Sequence, residues 1–368
     1  MKTRSQFLAF LCCLGLALST VAPSLHAETA AQKKKRKKAA AAEVHHKTAS
    51  KPATKSSSHR RIIPATTTAE DEETPHTVDL GPVDPNRPPN VFARSVMLID
   101  ARTGETLYEK DADARRQIAS TTKLVTALII AETGNLSGSL EVQPIDTICE
   151  PTKLYFKPGE RYARNALLYA LLVHSCNDVA RALARDNAGS IADFADKMNA
   201  RAAQLGARDT HFVNPNGLPA PGEEQWSTAR DLSRIARVVY GNSILRPIMA
   251  TQHLQFQMAS GRTQEFANTN KVLLRFPYCN GMKTGYTDAA GHCLVSSADD
   301  GNSAIISVCL GDSKAIWNDS QRLLSWGLAN ANSRRTGQQP PPPSLNKTSS
   351  AGSDTGTNSA WTTLSKAN

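Results

Sequence analysis

Hydrophobic positions repeat with two different periods along this chain. Residues Ser95 to Asp100 (S-V-M-L-I-D) form a β-type run, Ala101 to Gly104 supply turn residues, and Glu105 to Glu109 lead back, which predicts a hairpin. From Ser120 to Thr133 the residues Leu124, Val125, Leu128, Ile129 and Ile130 cover most of a helix circumference, and the pattern stops at Gly134. Such a helix is buried on all sides. A helical period runs from Asn165 to about Leu205, through Leu167, Leu168, Leu171 and Leu172, then Val179, Ala180 and Leu183. Ser227-Thr228 caps a further helix carrying Leu232, Ile235 and Val239. Near Leu254 the pattern changes to strands. His292–Ala298 and Ser303–Leu310 are the clearest, and a helix from about Lys314 to Leu328 follows. The order predicts one α/β (α+β) domain, with an antiparallel sheet built from both ends of the segment and a helical insert between them.

Charge changes the picture only at the ends. The net charge of +10 suggests nucleic acid as a partner. However, residues 1–73 hold 13 Lys/Arg against 6 Asp/Glu, and residues 334–368 hold 4 against 1. Residues 74–333 carry 26 of each, so the expected folded body has no net excess and nucleic acid is not expected as a partner. Lys2 and Arg4 precede an apolar run from Phe7 to Leu18, and Leu25-His26-Ala27 offers a small residue at a cleavage edge. This is the layout of a secretory signal peptide over 1–27, and the run is too short to span a membrane.

Residues 28–88, with Lys33 to Lys38 and the acidic Glu70 to Glu73, lack the apolar surface needed to offset ordering entropy and are expected to form a disordered basic and polar linker. A solvated tether is the plain reading. A weak contact with anionic lipid or wall polymer is the sharper one. Residues 333–368, with Pro340 to Pro343 and many Ser, Thr and Gly, are expected to form a second disordered tail. The expected catalytic domain is 89–332.

Cys12 and Cys13 would leave with the signal peptide, and Cys149, Cys176, Cys279, Cys293 and Cys309 remain. An odd number means at least one thiol without an intramolecular partner. Hairpin registers around Asp299 to Asn302 put Cys293 and Cys309 on opposite sheet faces, which disfavours a bridge between them. No cysteine pair or His cluster has metal-ligand spacing, and no cofactor is implied.

Three short motifs carry candidate chemistry. In Ser120-Thr121-Thr122-Lys123 the first and last residues share a helix face, so the amine can reach the hydroxyl. A serine hydroxyl becomes a nucleophile when a base takes its proton, and a lysine whose charged form is disfavoured by burial and nearby cations can be that base. Alone the spacing is weak: Ser344 and Lys347 repeat it in the tail, and Ser120 is equally a helix cap. Ser175-Cys176-Asn177 lies inside an apolar stretch and, alone, reads better as the cap between two buried helices. Lys283-Thr284-Gly285 offers charge, a hydroxyl and close backbone approach, the components of a carboxylate site on a strand. Its plain reading is a surface turn.

Together and in this order the motifs resemble the penicilloyl-serine transferase set, and residues 90–330 resemble the serine-type D-alanyl-D-alanine carboxypeptidases, the low-molecular-mass penicillin-binding proteins. The resemblance extends to Asn214-Pro215-Asn216-Gly217-Leu218 and Ser227 to Leu232. It implies the penicillin-binding protein and β-lactamase-like transpeptidase fold. It also implies a peptidoglycan stem peptide as substrate, β-lactam antibiotics as covalent inhibitors, and a periplasmic or wall-associated location.

By resemblance, Ser120 is the nucleophile and Lys123 its base. Ser175 and Lys283 relay the proton, Asn177 orients the substrate amide, and Lys283 and Thr284 hold the carboxylate. Gly285 lets the ligand approach, and the amides of Ser120 and Tyr286 form the oxyanion hole. Cys176 stands where the family usually has a smaller residue. The stretch after Asn330 holds no amphipathic anchor helix, which leads us to expect a soluble or loosely wall-associated protein.

Rival readings are a D,D-endopeptidase acting on cross-links, a class A-like β-lactamase and a non-catalytic wall-binding protein. The lactamase reading lacks an E-x-x-L-N box between Asn177 and Lys283, and the non-catalytic reading leaves the reactive residues unexplained.

Overall fold

The computed structural model describes residues 84, 87–312, 315–336 and 361–364. The expected signal peptide and nearly all of the expected linker lie outside the described residues. The chain enters through β1 (Ser95–Asp100) and β2 (Thr106–Lys110). A single 3-10 turn, Ala119–Thr122, leads into α1 (Lys123–Thr133). The insert continues with the short pair β3 (Ser139–Glu141) and β4 (Arg161–Ala163), then α2 (Arg164–Val173), α3 (Asn177–Ala188), α4 (Ile191–Gln204), α5 (Ala229–Gly241) and α6 (Leu245–Met249). The hairpin β5 (His253–Gln257) and β6 (Thr263–Ala267) and the short α7 (Lys271–Arg275) close it. Then come β7 (Cys279–Thr287), β8 (Gly291–Asp299), β9 (Ala304–Asp312) and α8 (Ile316–Thr336).

The five-stranded sheet runs β2-β1-β9-β8-β7, all pairs antiparallel. Strand β1 therefore pairs with β9, Ser95 opposite Leu310 and Asp100 opposite Ile305, and the sheet is built from both ends as expected. All six β1 residues are buried because both sheet faces are covered. Val96 and Leu98 join Leu294, Ile305, Leu323, Leu324 and Trp326 under α8. Met97 and Ile99 join the larger cluster of the insert, with Leu124, Leu128, Ile306 and Val308. The alternation follows from the two-residue period of a strand. Truncating fully buried Leu98 to Ala would cost about 2–5 kcal/mol.

Helix α1 is the hub of the insert. Nine of its eleven residues are buried, as the all-round apolar pattern required. Its head differs from expectation: Ser120 sits in the preceding 3-10 turn, and no side chain caps the helix. The long helical period after Asn165 is three helices. The first break, at His174–Cys176, centres on Ser175, whose φ of 67° is incompatible with a continuing right-handed helix. Ser190 caps α4, its Oγ accepting from Asp193 N at 3.0 Å, and Thr228 caps α5, its Oγ1 accepting from Asp231 N at 3.0 Å.

Cys293 belongs to the insert-side cluster and Cys309 to the cluster beneath α8, so they face away from each other. The five cysteines among the described residues form no disulfide with one another.

The expected tail is corrected at two places. Helix α8 continues to Thr336, beyond the expected boundary at 332, and β10 (Trp361–Leu364) adds to the edge of β5 in parallel, Trp361 opposite His253 and Leu364 opposite Phe256. An aromatic residue, two threonines and a leucine suit a strand even inside a polar tail. Among the described residues no helix is long and apolar enough to cross a membrane.

Candidate active site

The three motifs converge where the head of α1, the break between α2 and α3, and the outermost strand β7 meet. Lys123 is fully buried, and its Nζ meets Ser120 Oγ at 2.6 Å, Asn177 Oδ1 at 2.7 Å and the carbonyl of Asn216 at 2.9 Å. Asn177 is oriented by its other end, since its Nδ2 donates to the Pro151 carbonyl at 2.6 Å. The amide oxygen is thereby turned toward the lysine.

The loop carrying Pro151 is itself anchored to α3. Asn177 N donates to Thr152 O at 2.8 Å, and the buried carboxylate of Asp178 accepts from Leu154 N and Tyr155 N, each at 3.0 Å. Burial pushes the Asp178 carboxyl up, against the pull of these backbone N–H groups. Two turns further along α3, Arg185 clamps the buried Asp146 at 2.9 Å and ties the 3-10 turn Pro144–Thr147 to the helix.

Asn216 belongs to a hydrogen-bonded clasp. Asn214 Oδ1 accepts from Gly217 N at 2.8 Å, Asn216 Oδ1 accepts from Leu218 N at 3.1 Å, and Leu218 O accepts from both Asn214 Nδ2 and Gln225 Nε2 at 2.8 Å. Thr126 of α1 donates to Pro215 O at 2.7 Å. Gly217 has φ +82°, and a side chain there would overlap the Ala119 carbonyl. Only glycine fits this crossing.

Strand β7 packs on the same turn from the other side. A β-carbon on Gly285 would stand 2.8 Å from Ser120 N and 3.0 Å from Thr121 N. Lys283 is 1% exposed, its Nζ donating to Thr284 O at 2.9 Å. Ala119 and Ser175 both hold positive φ, 45° and 67°, a cost of order 1–3 kcal/mol each that the surrounding packing must sustain. Ser175 is buried at the α2–α3 break beside Asn177.

Cys176 is wholly buried, which explains why only a small side chain fits. Burial and Asp178 push its thiol well up, while Lys123 and Lys283 both pull it down, so the two lysines act on one neighbourhood. It is a neutral packing residue. Tyr286 is 40% exposed, its hydroxyl 3.1 Å from Asp288 Oδ1 and its ring 4.6 Å from that of His292.

Thr284, Gly285 and Tyr286 line a cleft of about 360 Å³, bounded also by Thr152, His174 and Thr269. The eight residues expected from sequence thus lie on the three converging elements. Sequence reasoning missed the Asn216 carbonyl, the Pro151 carbonyl and Thr269. The Asn-Pro-Asn-Gly run signals a turn, yet nothing in residue type tells where a backbone carbonyl will point.

A family model described as D-alanyl-D-alanine carboxypeptidase, peptidase S11, matches residues 83–314. The D-alanyl-D-alanine carboxypeptidase DacB2 of Mycobacterium tuberculosis is 34% identical over 246 residues, covering 66% of this chain and 84% of its own. The D-alanyl-D-alanine carboxypeptidase DacF of Bacillus subtilis is 32% identical over 226 residues, 60% of this chain and 58% of its own. Among solved structures, a D-alanyl-D-alanine carboxypeptidase of Mycobacterium tuberculosis superposes with a TM-score of 0.64 at 32% identity, covering 68% of this chain and 96% of that one. The Streptomyces K15 DD-transpeptidase gives 0.62 at 29%, with 66% and 99% covered. The chain belongs to the S11 family of D-alanyl-D-alanine carboxypeptidases, serine-type peptidases with the penicillin-binding-protein fold.

Proposed function

We propose that this chain releases the terminal D-alanine of peptidoglycan stem peptides through an acyl-enzyme on Ser120, and that β-lactams acylate the same oxygen. The observation that carries this reading is the set of three contacts at Lys123 Nζ. An unprotonated amine has two N–H bonds and one lone pair. Asn177 Oδ1 and Asn216 O only accept, so they take both N–H bonds and leave the lone pair for the Ser120 hydroxyl. Once the amine has taken that proton, each of its three N–H bonds again has an acceptor. The site therefore suits both protonation states of a general base.

Ser120 Oγ attacks the carbonyl of the penultimate D-alanine, and a bond forms as its proton passes to Lys123. The oxyanion meets the amides of Ser120 and Tyr286, each worth about 3 kcal/mol by analogy with other acyl-transfer sites. The C–N bond then breaks, and the leaving amine receives a proton through Ser175 and Lys283. Asn177 orients the substrate amide, Thr284 and Lys283 hold the terminal carboxylate, and Gly285 keeps β7 close enough for strand-like pairing. Water releases the acyl group.

The sequence supports export of the chain by residues 1–27 to a periplasmic or wall-associated site, with residues 28–88 as a tether that contacts anionic wall or lipid weakly. Peptide mapping after labelling with a fluorescent penicillin tests the assignment. A single adduct on Ser120 that disappears in Ser120→Ala is expected. An adduct elsewhere, or none, overturns it.

A further inference from the structure

We infer that Thr269 is a second hydroxyl of the substrate-carboxylate site, a specificity-determining residue outside the three motifs. The inference rests on the function proposed above. Thr284 Oγ1 donates to Thr269 Oγ1 at 2.7 Å, and Lys283 Nζ approaches Thr284 Oγ1 at 3.5 Å. The three groups form a chain that starts at the buried amine and ends at Thr269. A hydroxyl has one proton, and Thr284 directs its own at Thr269. The Thr269 oxygen accepts that bond, and its proton meets no acceptor among the described residues. Thr269 and Thr284 both line the cleft that contains Gly285 and Tyr286, and both are half-buried. A donor at the end of a polarised chain, at the wall of a cleft, is matched by an anion.

The backbone under Thr269 is fixed on both sides. Thr269 N donates to Val173 O at 3.2 Å, two residues before Ser175, so the segment is tied to the second motif. Asn268 Nδ2 donates to Thr251 O at 2.9 Å, and Asn270 Nδ2 donates to Ser296 Oγ at 3.1 Å. Both asparagines are buried, at 5% and 0% exposure. The hydroxyl is thus presented by a rigid segment, and binding needs only rotation about its side-chain bonds. A substrate carboxylate can accept from Thr284 at one oxygen and from Thr269 at the other. The two hydroxyls then form a fork that reads a planar carboxylate and discriminates against a neutral ester or amide.

The test uses two acyl-D-alanyl thioesters that differ only in the leaving thiol, one ending in a carboxylate and the other in its methyl ester. The thioester keeps the neutral substrate reactive enough to measure. In Thr269→Val, kcat/KM for the carboxylate substrate should fall about tenfold to a hundredfold, the range for one hydrogen bond to a charged group. For the methyl ester it should stay within about threefold, and Thr269→Ser should restore the preference. Thr269→Ala gives the same reading should the valine variant fail to fold. Equal losses on both substrates, or no loss on the carboxylate, would overturn the inference. A parent protein that prefers the carboxylate while Thr269→Val does too leaves the Ser120 reading intact. A parent with no acylation of Ser120 overturns both.

Discussion

Gly285 lies against the amide of Ser120 so closely that a β-carbon on it would stand 2.8 Å from that nitrogen. The third motif is therefore defined by absence of a side chain as much as by the amine and hydroxyl that precede it. The neighbouring atoms are backbone of a turn locked from the other side by Gly217, so neither partner gives way cheaply.

Gly285→Ala should accordingly displace the Ser120 turn by about 1 Å while the sheet still forms. A shift of that order at a reacting centre costs about a hundredfold in rate. Circular dichroism should be unchanged and penicillin acylation slowed by about that factor. Acylation within threefold of the parent would show that the turn tolerates the shift.

Cys176 should be replaceable. Its thiol is fully buried, pushed well up by burial, and part of the insert's apolar cluster. Cys176→Ala removes one sulfur's packing, a cost of roughly 1 kcal/mol, and leaves acylation within threefold. Loss of acylation in a folded variant would give the thiol a chemical part.

Much of this site was legible in the sequence because its key pairing is local. Ser120 and Lys123 meet at a spacing of three in a 3-10 turn as they would in an α-helix, so the misplaced helix start did not matter. The sheet was legible because β1 and β9 are mostly apolar and short turns join β7 to β8 and β8 to β9.

What stayed hidden depends on non-local geometry. The Asn216 carbonyl reaches Lys123 across 93 residues, and Thr269 reaches Thr284 through a loop whose shape no residue type encodes. The break at Ser175 was legible as a cap between two helices, but its left-handed φ was not, since serine seldom takes that conformation. The strand at Trp361–Leu364 was masked by the polar composition around it.

The half-buried thiol of Cys149 offers a pH-dependent check on the Pro151 loop. Burial, then the Asp178 carboxylate, push it up to about 11 from 9.0. At pH 8 about one molecule in a thousand carries the thiolate, so iodoacetamide should react some hundredfold more slowly than with an ordinary thiol. The rate should climb tenfold per pH unit to about pH 10. Because the unfolded chain ionises this thiol first, its contribution to stability is complete below pH 9 and is lost as pH rises toward 11. A plateau in alkylation rate by pH 9 would contradict the loop packing described.

The central claim is that Lys123 takes the proton from Ser120, and the rate of penicillin acylation in Lys123→Arg tests it most directly. A guanidinium keeps positive charge at the site and stays protonated, so it cannot serve as base. The variant should bind penicillin reversibly and acylate at least about a hundredfold more slowly than the parent, the low end of a general base's contribution. Acylation within a few-fold of the parent in a normally folded Lys123→Arg protein would contradict the account.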